Sequence, residues 1–257
     1  MIEVVIWGLV QGLTEFLPVS SSGHLVLVPA FLQALGFDVS VPDLAVSAVL
    51  HLGTLLAVIV YYRRDLARLA HLGTDPEARR VLGLLALGTV PAVIGLPLAN
   101  ALDAFQDDPR RVAGAVLVTS AVLYIGTFLT VGSRRLEEGR IPDAVVVGVA
   151  QAMALVPGIS RSGMTITAGI GRRFRREEAA RYAFLLAIPT IAGGGLISLL
   201  DVAGTDADLS LLAVGMAVAA LSGHAAIGIV LRALATVGFL PFAIYTTVVG
   251  ILGLVVL

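Results

Sequence analysis

The sequence predicts an all-α integral membrane protein, with six transmembrane helices and two re-entrant helix-loop-helix hairpins arranged as an inverted-topology repeat. Three observations carry this prediction. Of the 257 residues, 58% are hydrophobic and only 14% charged, with a mean hydropathy of +0.97, whereas soluble domains carry about 25% charged residues. Six stretches, 46–62, 81–102, 112–131, 182–200, 209–231 and 233–257, approach or exceed the ~20 apolar residues that a membrane helix needs. Two further apolar regions, 2–35 and 144–171, are broken in the middle by polar residues, Pro and Gly. Their arms are too short to span, and irregular backbone at membrane depth is tolerated where protein or water covers it.

In chain order, the first hairpin is interrupted by Glu15, Pro18, Ser20, Ser21, Ser22, Gly23 and His24. Glu3, and the lack of a basic leading segment, argue against a cleavable signal peptide. Three spans follow, the second with a kink predicted at Gly95 and Pro97. The second hairpin is interrupted by Pro157, Gly158, Ser160, Arg161, Ser162 and Gly163, and three more spans follow it. A shift of 140 positions lays Gly8, Gln11, Ser20, Ser22 and Gly23 on Gly148, Gln151, Ser160, Ser162 and Gly163 without a gap. The chain therefore reads as a single membrane domain of two halves, roughly 1–131 and 141–257. Three spans is an odd number, so the second half enters the membrane upside down relative to the first. Inverted repeats of this kind place their site near the midplane, between the repeats.

Charge placement sets the orientation. All 17 basic residues are Arg, against 18 acids and a net charge of −1. Fourteen of the Arg fall in 63–80, 132–143, 172–181 and at 232, while the opposite side, segments 100–111 and 201–208, holds only Arg110 and Arg111. The positive-inside rule puts the Arg-rich side in the cytoplasm. A multi-pass plasma-membrane protein results, with both termini and the mouth of the first hairpin on the outer face. One basic residue, Arg161, is left at membrane depth. The absence of Cys excludes disulfides and thiolate chemistry, and the absence of Lys excludes a catalytic or phosphate-loop lysine. The near-neutral balance gives no support to nucleic acid as a partner.

An ionisable residue inside the bilayer is costly and marks a functional site by default. Glu15 and Arg161, of opposite sign in opposed hairpins, define a shared polar pocket or a structural ion pair. Gln11 and Glu15, spaced i, i+4, share one helix face and offer oxygen ligands to a hard divalent cation, Mg²⁺ or Ca²⁺, with a phosphate completing the shell. Ser20, Ser21 and Ser22 lead into an apolar helix, as Ser160, Arg161, Ser162, Gly163 and Thr165 do in the second hairpin. One serine in each is explained by N-capping. The remaining hydroxyls, two helix N-termini and a guanidinium make a site for phosphate or diphosphate. Ser21 lies three residues before His24, the spacing of a nucleophile beside a base.

Residues 11–24, from Gln11 through Glu15 and Pro18 to Ser20-Ser21-Ser22-Gly23-His24, together with Pro157-Gly158-Ile159-Ser160-Arg161-Ser162-Gly163-Met164-Thr165, resemble the undecaprenyl-diphosphate phosphatases of the BacA/UppP family. The similarity extends through His51-Leu52-Gly53-Thr54 and Gly88-Thr89-Val90-Pro91. The resemblance implies a hydrolase that removes the terminal phosphate of a polyprenyl diphosphate, recycling the carrier lipid for cell-envelope glycan synthesis. It also implies a divalent metal and a site open to the outer face. The family's acidic pair falls on Gln11 and Glu15, its hydroxyl-and-His motif on Ser20, Ser21 and His24, and its Arg on Arg161. The motif accepts Glu or Gln at the first position, and Gln11 leaves one carboxylate there. On this reading Arg161, Ser160, Ser162 and Thr165, with Ser20, Ser22 and Gly163 beside them, bind the diphosphate, and a cation sits near Glu15 and Gln11. Ser21 attacks the terminal phosphorus while His24 or Glu15 manages the protons. Attack by water or by His24 stays open, as does a homodimer. A polyprenyl-phosphate flippase or other inverted-repeat transporter is the alternative function.

Other polar features read as structural. His51, which lies where it could contact the pocket, and His224 are assigned to helix packing, Arg172-Arg173-Phe174-Arg175-Arg176 to a cytoplasmic topology anchor, and Gly193-Gly194-Gly195 to close helix contact.

Overall fold

The computed structural model describes residues 1–71, 73–202 and 208–257. The chain is mostly helical in these, and the only β-type pairing among the described residues is a bridge between Arg134 and Phe174. Helices α1 (Ile2–Phe16) and α2 (Ser21–Ala34) occupy the first broken apolar region. At ~1.5 Å per residue each is about 21–23 Å long, short of a ~30 Å hydrocarbon core. Then come α3 (Leu44–Tyr61), the short α4 (Arg63–Leu69), α5 (Pro76–Gly95), α6 (Ala99–Gln106) and α7 (Pro109–Thr127). The second broken region forms α8 (Ile141–Met153) and α9 (Arg161–Gly171), followed by α10 (Arg176–Val202), α11 (Leu209–Thr236) and α12 (Leu240–Val256).

Helices cover all six long apolar stretches. Three helical segments, Leu44–Tyr61, Pro76–Leu98 and Leu209–Thr236, are by themselves long and apolar enough to cross a membrane. Two boundaries differ from the sequence reading. The expected second span, 81–102, stops as α-helix at Gly95 and passes through a 3-10 turn, Leu96–Leu98, into α6. Pro97, inside that turn, has no N–H with which to extend the α-helix. The turn expected at Arg232 lies instead at 237–239, where Gly238 takes a φ of +71°; Arg232 stays inside α11. Positive φ costs glycine least, so it decides where the helix breaks. Of the expected 201–208 connection, 203–207 lie outside the described residues.

The two halves interlock. Helix α1 packs mainly on α11, and α8 packs mainly on α5, while α3 lies against α10 and α7 against α12. The α5–α8 crossing is close because Gly148 faces Gly88; a Cβ on Gly148 would sit 2.6 Å from the Gly88 carbonyl oxygen. Outward-facing positions stay apolar, including Leu56, Ile59 and Val60 on α3 and Ile244, Val248 and Ile251 on α12. Apolar surface this continuous suits lipid, not water.

The Arg-rich segments are knitted to acids. Arg181 pairs with Asp65, Glu137 and Glu178, Arg68 with Asp75, Glu77 and Glu137, and the fully buried Asp143 lies between Arg134 and Arg172. Burial works against the charged form of Glu137, but the Arg181 hydrogen bond at 2.9 Å and charge outweigh it and hold the carboxyl below its ordinary value of 4.5. The stability this contributes is complete above about pH 4.5 and is lost as pH falls through the lower folded-state value. The thermal midpoint of the detergent-purified protein should therefore be flat near neutrality and fall below about pH 4.5, and Glu137→Gln should lower the neutral plateau and flatten that acid limb.

Candidate active site

Between the helix pairs α1–α2 and α8–α9 lies a cavity of about 470 Å³. Its polar end is built by two chain turns. Helix α1 stops because Pro18 forces Leu17 into extended geometry (φ −63°, ψ 143°). Ser20 then caps α2, accepting the Gly23 N–H at 3.2 Å, and Ser160 caps α9 by accepting the Gly163 N–H at 3.1 Å. Ser20 does so at a φ of +74°, a left-handed conformation that a non-glycine residue holds only under constraint and that marks functional turns. Both helices thus open at the cavity, and their first residues, Ser21 and Arg161, line it.

Glu15 is the hub. Its carboxylate accepts the Ser21 hydroxyl at 2.5 Å and the Gln11 amide at 3.0 Å on one oxygen, and the Arg161 guanidinium on the other. The Glu15 side chain is only 3% exposed and that of Arg161 22%, so the pair is largely withdrawn from solvent. Arg161 also donates to the Thr190 hydroxyl at 2.7 Å. Under the 140-residue shift Ser21 corresponds to Arg161, Glu15 to Leu155 and His24 to Met164. One scaffold therefore presents a hydroxyl and a carboxylate from one side and a cation from the other.

The expected residues divide into three groups. Glu15, Ser20, Ser21, Ser22, Ser160 and Arg161 line the cavity. Ser162, Gly163 and Thr165, expected at the substrate, and Gln11, expected at the metal and fully buried, do not. Thr165 hydrogen-bonds to the Arg161 carbonyl at 2.7 Å, and Ser162 donates to the Leu17 carbonyl at 2.9 Å. Ser22 reciprocates, accepting the Gly158 N–H at 3.3 Å, so one serine from each turn ties down the other turn. His24 forms no contact with Ser21. Its Nδ1 donates to the Ser20 carbonyl at 2.7 Å, which leaves Nε2 to accept the Tyr245 hydroxyl, also at 2.7 Å. Both ring nitrogens are spent, and the Ser21 hydroxyl donates to Glu15 instead.

Other residues were missed or misread in the sequence. His51, assigned to packing, lines the cavity with Ser47, whereas His224 packs against the Tyr61 ring at 5.2 Å. Thr190 gave no signal beyond the intrahelical Pro189 beside it. Gly193 and Gly194, assigned to close helix contact, also line the cavity, and a Cβ at either would meet nothing within 4 Å; only Gly195 lies against a neighbour, the Leu52 side chain at 3.1 Å. With Ala92, Val93, Leu96 and Ile191 they give the cavity an apolar stretch of wall besides the polar one.

For a metal, the donor set is short. Among the described residues no group of three or more His, Cys, Asp or Glu side chains could hold an ion. Yet the Gln11 Oε1, fully buried one helical turn from Glu15, has no hydrogen-bond partner.

A family model described as "Bacitracin resistance protein BacA" matches residues 4–252. Among curated proteins, an "Undecaprenyl-diphosphatase" of Alcanivorax borkumensis is 41% identical, covering 97% of this chain and 96% of its own length. One from Marinobacter nauticus is 40% identical over 96% of each chain. One from Methanosphaera stadtmanae is 35% identical over 99% of this chain and 97% of its own.

Proposed function

The chain belongs to the bacitracin resistance protein BacA family, and from that membership and the cavity we propose that it acts as an undecaprenyl-diphosphatase. It is a membrane protein that hydrolyses undecaprenyl diphosphate to the monophosphate and inorganic phosphate. The observation that carries the catalytic reading is the short Ser21–Glu15–Arg161 chain at the convergence of two helix N-termini.

The diphosphate enters the polar end, and Arg161 turns its guanidinium from Glu15 to the phosphoryl oxygens, where a planar fork binds two of them at once. The N-termini of α2 and α9 add N–H groups and positive dipole. Freed from Arg161, Glu15 takes the proton of Ser21 as its oxygen bonds to the terminal phosphorus. The bond to the bridging oxygen breaks, that oxygen takes the proton back from Glu15, and the lipid monophosphate departs with it, leaving Glu15 ionised. Water then attacks the phosphoserine, Ser21 regains its proton and inorganic phosphate leaves. His24 and Tyr245 act one step back, since the His24 bond to the Ser20 carbonyl fixes the strained turn that presents Ser21.

Gln11 Oε1 and a Glu15 oxygen would supply two oxygen donors to a divalent cation, Mg²⁺ or Ca²⁺. Such an ion offsets charge on the phosphoryl oxygens, the main demand of phosphoryl transfer. In the membrane, α1–α2 and α8–α9 form the re-entrant hairpins and α3, α5, α7, α10, α11 and α12 the six spans of an inverted repeat. Both termini and the cavity mouth face outward, a topology supported by the Arg-rich connections on the other side.

Purified protein with Mg²⁺ should release phosphate from a polyprenyl diphosphate. Lipid movement in liposomes without phosphate release would overturn the phosphatase reading. The apolar stretch of wall carries the first isoprenoid units, so Gly194→Leu should raise KM for a long-chain diphosphate several-fold and leave kcat for a short-chain one unchanged.

A further inference from the structure

The buried polar side chain that the mechanism above leaves idle is Gln151. It sits in the last turn of α8, is 3% exposed and lines the same cavity as Ser21, Glu15 and Arg161. Its Nε2 reaches the Gly88 carbonyl at 3.4 Å. A carbonyl only accepts, so this contact fixes which end of the amide is nitrogen. The other end, Oε1, is buried without a partner. A buried acceptor left without a partner is costly, and a group kept so beside a reaction cavity is available to a ligand.

The chemistry of the vacant atom selects the ligand. Phosphate oxygens are acceptors, so an amide oxygen does not bind them; it binds a donor. Ser21 already donates to Glu15 and Arg161 to Glu15 and Thr190. The donor still required by the reaction is the water of the second step. We propose that Gln151 Oε1 holds the water that attacks the phosphoserine at Ser21, an inference that rests on the covalent reading above. One water hydrogen is accepted by Gln151, which aims the oxygen lone pair at phosphorus. The new P–O bond forms as the P–Oγ bond of Ser21 breaks. The second water proton passes to Glu15 and from there to Ser21 Oγ, giving the free serine and hydrogen phosphate. The amide is too weak a base to take the proton, so Gln151 orients the water and Glu15 carries the charge.

The test uses full-length protein in detergent, a polyprenyl diphosphate labelled on its terminal phosphate, and rapid acid quench. Gln151→Met keeps the volume and removes the acceptor, while Gln151→Glu keeps an acceptor oxygen. In Gln151→Met the first turnover of lipid monophosphate should keep its rate, steady-state phosphate release should fall about 100-fold, as for a misplaced reactant, and labelled phosphoenzyme should become the main form. Gln151→Glu should recover most of the loss. A phosphoenzyme that Gln151→Met does not raise overturns the Gln151 assignment alone. So does an increased Mg²⁺ requirement without accumulation, which would make the amide a cation ligand. No phosphoenzyme in any variant, with Ser21→Ala still active, overturns the covalent reading beneath it.

Discussion

Arg161→Ala is expected to remove turnover and stability together. Among the described residues the guanidinium is the only cation bonded to Glu15, and it is the charge assigned to the diphosphate. A phosphoryl-transfer arginine is worth about 10³–10⁵ in rate, so residual phosphate release should sit near background. Losing one member of a buried ion pair leaves the other uncompensated, at a typical cost of about 3–5 kcal/mol. The two effects separate in a second variant. Glu15→Gln combined with Arg161→Met removes both charges, and its thermal midpoint should return toward that of the parent while activity stays absent. If Arg161→Ala alone kept the parent's midpoint, the ion pair would not be structural; if it kept more than a tenth of the turnover, Arg161 would not grip the substrate. Arg161→Lys should also fail catalytically, because one ammonium cannot serve the Thr190 hydroxyl and two phosphoryl oxygens in the geometry of a fork.

Ser21→Ala is expected to cost as much activity with little loss of stability. Removing a nucleophile from a concerted site lowers kcat by about 10⁴–10⁶. The side chain makes one hydrogen bond, to Glu15, which keeps Gln11 and Arg161 as partners without it. The thermal midpoint should barely move, and the label from a terminally labelled diphosphate should no longer be trapped on the protein. Turnover above a few per cent of the parent would transfer the attack to water activated by Glu15.

Much of this site could be read in the sequence because the bilayer makes polarity conspicuous. Glu15 and Arg161 stood out as charges at membrane depth, and the structure bonds them to each other. Ser20 and Ser160 were legible as caps from the order of hydroxyl, glycine and apolar residues. What sequence spacing could not supply was direction. Ser21 and His24 are three apart, yet the backbone turn at Ser20 draws the imidazole back onto its own carbonyl and leaves the hydroxyl to Glu15. Ser162 and Thr165 had the chemistry of phosphate ligands, but their hydroxyls are consumed by Leu17 and Arg161 carbonyls. Thr190 and Tyr245 reach the site from α10 and α12, and no local pattern marks contacts made across 29 and 221 residues. Gly193 and Gly194 show the complementary error: glycine in an apolar helix usually permits close contact, and here it keeps space open.

The reciprocal ties between the turns, Ser22 to Gly158 and Ser162 to Leu17, have a consequence for biogenesis. Neither turn can be completed from its own sequence, and the Glu15 countercharge lies 146 residues downstream. At ordinary synthesis speeds that separation is roughly 7–30 s of translation. During this interval the first turn has neither its ties nor its cation, and an unpaired carboxylate is held out of hydrocarbon by its own hydration. The nascent amino-terminal pair α1–α2 must therefore wait at the lipid–water boundary. The two turns can close on each other only once α8–α9 has been made, and the packing of α1 on α11 comes later still.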